Sequence, residues 1–224
     1  MNKKRLLLNN IDVLSSFSKG NAVVYRDKVM VDCGVPYKLI QPYLNKIKFI
    51  LLTHQHTDHI KFETLSKLNI KIFAPSYLSD LLNDNHIEHT PIEINKLYNY
   101  QGIKFSAFKL YHNVPNAGYR IFDKEYKIFH ATDTASLDGI TAKNYDLYAI
   151  EHNYDAATIQ DIIDEKLKNH KYCYEAYAVD NHMSFQTAKK WLDNNIGLES
   201  EVHMLHISSR YYIDGKLELP KELL

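Results

Sequence analysis

Apolar residues alternate with polar ones, or run together over a few positions, in a series of short segments that read as β-strands. Ile11 to Phe17, Ala22 to Tyr25, Lys28 to Val31 and Phe49 to Leu52 form a first group, and Tyr37 to Leu44 reads as a helix after Pro36. The plan repeats further on. Strands over Ile103 to Leu110, Tyr119 to Phe122, Lys127 to His130, Asp146 to Ile150 and Val202 to Ile207 alternate with helices over Ala156 to Lys168 and Phe185 to Asn194. In the last helix Phe185, Ala188, Trp191 and Leu192 fall at i, i+3, i+6 and i+7, an apolar stripe suited to packing on a sheet. Trp191 is therefore a core residue before it is a ligand platform.

The buried-strand pattern Phe49-Ile50-Leu51-Leu52 runs directly into Thr53-His54-Gln55-His56-Thr57-Asp58-His59. Three imidazoles and a carboxylate packed so closely hardly serve a fold and readily serve metal ions. A loop at the carboxyl end of a strand holds ligands rigidly while leaving them open to substrate. Zinc and similar ions take neutral imidazole and carboxylate, and a pair of ions needs about six or seven donors, so further ligands belong later in the chain. The plainer reading is a surface cluster with Asp58 capping a helix near Ile60, and it leaves the HxHxDH spacing unexplained.

This motif resembles the signature of the metallo-β-lactamase superfamily, whose fold is an αββα sandwich of the α/β class. The resemblance implies that His54 and His56 bind one metal while Asp58 and His59 face the second. It also implies where the remaining groups fall. Val29-Met30-Val31-Asp32-Cys33-Gly34 looks like the family's early strand, with Asp32 orienting the His loop from behind without ligating. Tyr111-His112-Asn113 offers His112 as the third imidazole on the first metal. Ala131-Thr132-Asp133-Thr134 offers Asp133 as the carboxylate bridging both ions, and Met204-Leu205-His206 offers His206 for the second.

Two stretches narrow the resemblance. His206-Ile207-Ser208-Ser209-Arg210-Tyr211 is similar to the closing motif of RNase Z enzymes, and His112 to Arg120 is similar to their segment around the third ligand. Glu151-His152 and His182-Met183-Ser184 fall where RNase Z carries a Glu and a His that manage the leaving-group proton. Ser16-Phe17-Ser18-Lys19-Gly20-Asn21-Ala22 instead looks like the opening motif of YycJ-type DNA exonucleases, so the match does not settle on one branch.

The implied chemistry is phosphodiester hydrolysis with two divalent metal ions as cofactors, zinc first and manganese second. Two cations about 3.5 to 4 Å apart lower the pKa of a shared water and stabilise the charge that builds on a phosphate. Asp133 and Asp58 are expected to hold that water. His182 is expected to protonate the leaving alkoxide, with Glu151 fixing its tautomer. The plainer reading of His182 is a residue at the start of a helix that Ser184 caps, and the two readings are compatible. Ser184, Ser208 and Arg210 are candidate substrate contacts, Arg210 because its fork pairs phosphate oxygens. Arg210 can equally anchor the carboxyl-terminal segment through Asp214, and His130 and His152 read as wall residues or substrate contacts.

Composition sets limits. A chain of 224 residues, 45% of them hydrophobic, can bury one substantial core, and an αββα sandwich of that size is expected to be a single domain over residues 1–224. The run Lys3-Lys4-Arg5 reads as a solvated end rather than a targeting signal. No apolar stretch approaches the roughly 20 residues that span a bilayer, so no membrane partner is expected. Two distant cysteines, Cys33 and Cys173, make no secreted disulfide framework and point to the reducing cytoplasm.

The substrate class is bounded by what RNase Z has and this chain lacks. Enzymes that process transfer RNA carry a long arm between the third His motif and the bridging Asp, whereas here only residues 113–132 lie between them. Basic and acidic residues number 27 each, and a protein gripping a long polyanion usually carries a basic excess. Short substrates follow: nucleic-acid ends or nucleotides, with cyclic nucleotides, as in the similar phage anti-Pycsar phosphodiesterases, as the alternative. The family resemblance also implies a homodimer. A metal-binding protein without turnover, or a hydrolase of a lactone, thioester or β-lactam, is the reading of another class. Glu151 together with His182 favours phosphodiesters over these.

Overall fold

Runs of β-branched and aromatic residues, cut short by Gly, Asp and Lys, set up the strands of both halves of the chain. The structure, a computed structural model, describes residues 10–213 and 216–219. Lys3, Lys4, Arg5 and Asp214 lie outside the described residues. The chain groups into two units, divided after Ile92.

The first unit is built on β1 (Ile11–Phe17), β2 (Gly20–Tyr25), β3 (Val29–Val31), β4 (Phe49–Leu51), β5 (Lys71–Pro75) and β6 (Thr90–Ile92), which lie in that order in one sheet. The pairs β1–β2 and β2–β3 are antiparallel, and β3 to β6 run parallel. Parallel neighbours need crossovers, and α1 (Tyr37–Ile40), α2 (Phe62–Leu65) and α3 (Ser79–Asp84) lie between them. Alternate residues Ala22, Val24, Met30, Ile50, Ile72 and Ala74 form one core cluster with Ile40, Leu65 and Leu82 from those helices. Truncating a core residue such as Ile50, which is fully buried, to Ala costs about 2–5 kcal/mol.

The second unit has its own six-stranded sheet: β7 (Leu97–Tyr100), β8 (Ile103–Leu110), β9 (Asn116–Asp123), β10 (Tyr126–Ala131), β11 (Leu147–Glu151) and β12 (Glu201–Leu205). β7 to β10 form an antiparallel meander, and β10, β11 and β12 are parallel. Helices α4 (Ile159–Lys168), α5 (Tyr174–Asn181) and α6 (Phe185–Asp193) fall between β11 and β12. Phe129 stacks on Phe108 and Trp191 at ring separations of 4.9 and 5.0 Å, and the Trp191 indole N–H donates to the Ile140 carbonyl. The tryptophan is core. A short hairpin, β13 (Tyr212–Ile213) with β14 (Lys216–Leu217), closes the described chain. Among the described residues no helix is long and apolar enough to cross a membrane.

Of the boundaries that differ from expectation, three have a local cause, while β9 simply begins three residues earlier than expected, at Asn116. The helix from Tyr37 stops at Ile40 and tightens into a 3-10 turn over Gln41–Tyr43, because Pro42 has no N–H for the next α-helical bond. The helix expected from Ala156 begins at Ile159, since the Asp155 carboxylate accepts from the Ala157 N–H and the Thr158 hydroxyl and holds that segment as a turn. The strand expected through Ile207 ends at Leu205, where His206 enters the left-handed region at φ 51°. Helix α5 had no apolar stripe to announce it. Its buried positions are Glu175, Ala178 and Asn181, and its tyrosines face outward.

Candidate metal centre

Parallel strands β3 and β4 end side by side, and the residues after them carry the first cluster of candidate ligands. Asp32 follows β3 and is 2% exposed. Its carboxylate accepts from the Thr53 N–H and hydroxyl, each at 2.8 Å, and from Nδ1 of His59 at 2.7 Å. With its own proton given to Asp32, the Thr53 hydroxyl oxygen is left to accept from Nδ1 of His54 at 3.0 Å. Both imidazoles thereby carry the proton on Nδ1 and the lone pair on Nε2, the arrangement in which a carboxylate-anchored imidazole ligates metal. Burial pushes the Asp32 carboxyl up, against the pull of His59 and Thr53.

His54 Nε2 stands 3.0 Å from Nδ1 of His56, and His59 Nε2 lies 3.6 Å from an Asp58 oxygen. The loop packs against Gly34, where an added Cβ would run into the Asp58 carbonyl oxygen. That carbonyl accepts from the Asn21 N–H at 2.6 Å, while the Asn21 side-chain amide reaches Asp58 Oδ2 at 3.0 Å and His59 Nε2 at 2.9 Å. Asn21 was not among the expected site residues, although the segment Ser16 to Ala22 that contains it stood out in the sequence.

In the second unit the parallel strands β10, β11 and β12 deliver Asp133, Glu151 and His206 at or just past their carboxyl ends, and His182 caps the end of α5. The four are buried, with ligand atoms within 4.8 Å of one another. Glu151 Oε1 accepts from Nδ1 of His182 at 2.6 Å and lies 3.1 Å from Nδ1 of His206, while Oε2 accepts from the Thr134 N–H at 2.8 Å. Burial alone would raise the Glu151 carboxyl; the imidazoles of His182 and His206 outweigh it and hold the group below its usual range. His206 Nε2 is 3.4 Å from Asp133. The His112 Nδ1–H donates to the Asn181 carbonyl at 3.2 Å, and its ring lies 5.6 Å from that of His182. Asp32, Asp133 and His206 all hold positive φ, at 61°, 55° and 51°, a backbone region that disfavours L residues by about 1–2 kcal/mol each.

Asn153 is the second residue the sequence did not single out, although it directly follows the marked pair Glu151-His152. Its amide donates to the His206 carbonyl at 2.8 Å and lies 3.1 Å from the ring Nδ1. Its backbone N–H bonds the Met183 carbonyl and its own carbonyl accepts from Ser208, so it ties His206 to the segment of His182. Ser184 caps α6 by accepting from the Thr187 N–H. Arg210 pairs with Glu175, and Ser208 precedes a 3-10 turn. His152 donates Nδ1–H to the Ile150 carbonyl and packs on Phe185; burial lowers its pKa, as for a neutral wall residue. His130 is buried in β10 opposite Tyr119.

The donor chemistry suits divalent ions: buried imidazoles whose Nδ1 protons are engaged, together with carboxylates, form sets that zinc and similar ions take. The mixed α/β fold carries these sets at or near the carboxyl ends of parallel strands. Residues 28–205 match the β-lactamase superfamily domain, and the chain belongs to that family. It is 32% identical over 129 residues to a ribonuclease Z of Metallosphaera sedula, covering 49% of this chain and 41% of that protein. To a nuclear ribonuclease Z of Triticum aestivum it is 28% identical over 124 residues, 46% of this chain and 69% of that one. The chain thus spans less than half the length of the Metallosphaera sedula relative. The metallo-β-lactamase fold protein YhfI of Bacillus subtilis superposes with a TM-score of 0.67 at 16% identity, over 89% of this chain and 86% of that one, a likeness of fold.

Proposed function

We propose that the protein is a metal-dependent phosphodiesterase acting on nucleic-acid ends or nucleotides, with His54, His56, Asp58, His59, His112, Asp133 and His206 as ligands of two divalent ions, zinc before manganese. The observation that carries this reading is the buried pair of His182 and Glu151 at 2.6 Å. Expelling an alkoxide needs a positioned proton donor, and hydrolysis of a thioester or β-lactam does not call for that pair. The ribonuclease Z names of the two relatives support a nucleic-acid or nucleotide substrate.

When bound, two such ions acidify water and neutralise charge developing on phosphate. The chain's residues do the rest. Asp58 and Asp133 hold the attacking water, and one of these carboxylates takes its proton as the water oxygen bonds phosphorus and the bond to the leaving oxygen breaks. Doubly protonated His182 gives its Nε2 proton to that leaving oxygen, while Glu151 keeps the Nδ1–H and stabilises the imidazolium beforehand. The proposal extends to a single-domain protein acting as a homodimer in the cytoplasm. It draws there on the family resemblance and on the two free cysteines.

The test is an activity panel on zinc- and manganese-loaded protein, covering bis-p-nitrophenyl phosphate, cyclic mononucleotides, single- and double-stranded DNA and RNA, and a lactone and a thioester. Cleavage of bis-p-nitrophenyl phosphate and of strand ends is expected. Turnover of a lactone or thioester with none on any phosphodiester overturns the reading, and turnover of cyclic mononucleotides alone overturns the strand-end assignment.

A further inference from the structure

Helix α5 turns its polar side inward and its aromatic side outward, the reverse of a helix that merely packs. Glu175, Ala178 and Asn181 are buried, whereas Tyr174 and Tyr177, one helical turn apart, are 40% and 43% exposed with rings 6.2 Å apart. Tyr172, just before the helix, is 85% exposed. The segment leading in, Lys168-Asn169-His170-Lys171-Tyr172, is exposed throughout and carries two lysines followed by a tyrosine. The buried acid Glu175 is already neutralised by Lys166 and Arg210 and so does not offset Lys168 and Lys171; the exposed acids of the region are Asp164 and Glu165 before the lysines and Asp180 near the end of α5.

The aromatic side is joined to the catalytic residues proposed above. The Asn113 amide donates to the Tyr177 hydroxyl, and Asn113 follows His112, whose ring bonds the Asn181 carbonyl of the same helix. His182, the proposed proton donor, ends that helix. Tyr111, on the other side of His112, is 52% exposed. From His182 back to Tyr174 is about 12 Å at 1.5 Å per residue, the span of roughly three to four stacked nucleotides at 3.4 Å each.

We propose that the exposed side of α5 and residues 168–172 form a track for single-stranded nucleic acid, in which Tyr177 and Tyr174 stack bases next to the cleaved phosphodiester and Lys168 and Lys171 neutralise phosphates further along. This rests on the phosphodiesterase reading and deepens it to a strand substrate, since a cyclic mononucleotide reaches Tyr177 but not the lysines. Base–aromatic stacking is sequence-tolerant, and so is this track.

The test compares the wild type with Tyr174→Ala/Tyr177→Ala, Tyr174→Phe/Tyr177→Phe and Lys168→Gln/Lys171→Gln, using a fluorescein-labelled five-nucleotide single strand in anisotropy and in turnover. The double Ala variant should bind the strand roughly 10- to 100-fold more weakly, from one to two lost stacking contacts. The Phe variant, which keeps the rings and loses the Asn113 bond, should bind within threefold of wild type. The Gln variant should show a shallower dependence of log Kd on log salt by about 1.4, or about 0.7 per lysine. Unchanged strand binding in the double Ala variant overturns the track. So does unchanged strand binding accompanied by loss of dimer in sedimentation, which would make this side a self-association surface. Absence of any phosphodiester turnover in the wild type defeats the phosphodiesterase reading alone, because anisotropy still reads the track.

Discussion

Replacing Asp32 by Asn removes one charge and almost no volume, and it tests whether that carboxylate sets the tautomers of the His loop. Three donors converge on it: the Thr53 N–H, the Thr53 hydroxyl and His59 Nδ1–H. An amide oxygen in place of Oδ1 can keep the Thr53 N–H, but the NH₂ in place of Oδ2 confronts His59 Nδ1–H at 2.7 Å donor to donor. The imidazole escapes by moving its proton to Nε2, which withdraws the lone pair offered to metal. Net loss of one charge-assisted hydrogen bond is worth about 1.5–3 kcal/mol. At about 2–4 °C per kcal/mol for a chain of this size, Tm should fall by roughly 3–12 °C. Loss of such a carboxylate–imidazole partner typically weakens metal binding about 10- to 100-fold. Calorimetric unfolding of the apo-protein reads the first effect, and zinc titration against a competing chelator reads the second. A variant with wild-type Tm and wild-type zinc affinity would refute the tautomer argument.

His182→Ala should lower kcat on poor leaving groups by about 10²- to 10⁴-fold with metal content by elemental analysis unchanged, and should spare a nitrophenolate leaving group. Equal losses on both would assign His182 a structural role. Gly34→Ala should fail to retain metal, since a Cβ there displaces the Asp58 backbone; retention of two ions per chain would contradict this. Asp155→Asn addresses pH. Burial raises the Asp155 carboxyl, but hydrogen bonds from the Gln186 amide, the Ala157 N–H and the Thr158 hydroxyl outweigh it, so the folded pKa lies below the unfolded one. The stabilisation is therefore full above the unfolded carboxylate range near pH 4 and is lost as pH falls through the folded value. Denaturant titrations at pH 7 and pH 3 should find the wild type losing more stability on acidification than the variant; parallel acid losses would argue against it.

The strands around the His loop were legible because their apolar runs are continuous and the ligands follow them directly, as Phe49–Leu51 does before His54. Helix α6 was legible for the same reason, its stripe of Phe185, Ala188 and Leu192 being buried as drawn. What escaped has physical causes. Between Leu65 and Tyr100 the elements are three to six residues long, too short for any period to declare itself, so α3 and β5 to β7 were missed. Helix α5 escaped because its inward positions are polar, and polar inward positions imitate a loop. Asn21 and Asn153 escaped because an amide that positions a His is chosen by three-dimensional neighbours and leaves no spacing to read.

Asp32 and Glu151 show one device used twice. In each unit a buried carboxylate beside the carboxyl end of a parallel strand accepts Nδ1–H from an imidazole, His59 in the first and His182 in the second. The two are not equivalent in what their loss would mean. Asp32 faces only the loop of proposed metal ligands, so its removal reads on metal binding. Glu151 presents the same oxygen to His182 and, at 3.1 Å, to His206, so Glu151→Gln would disturb the proposed proton donor and a proposed ligand together. Its effect on turnover cannot be divided between them by one variant. A double-mutant cycle with His182→Ala separates the two: the part of the Glu151→Gln loss that persists when His182 is already Ala belongs to His206, and the part that vanishes belongs to proton transfer. If the persistent part were the whole, Glu151 would be a support for the metal ligand and the proton donor would need another partner.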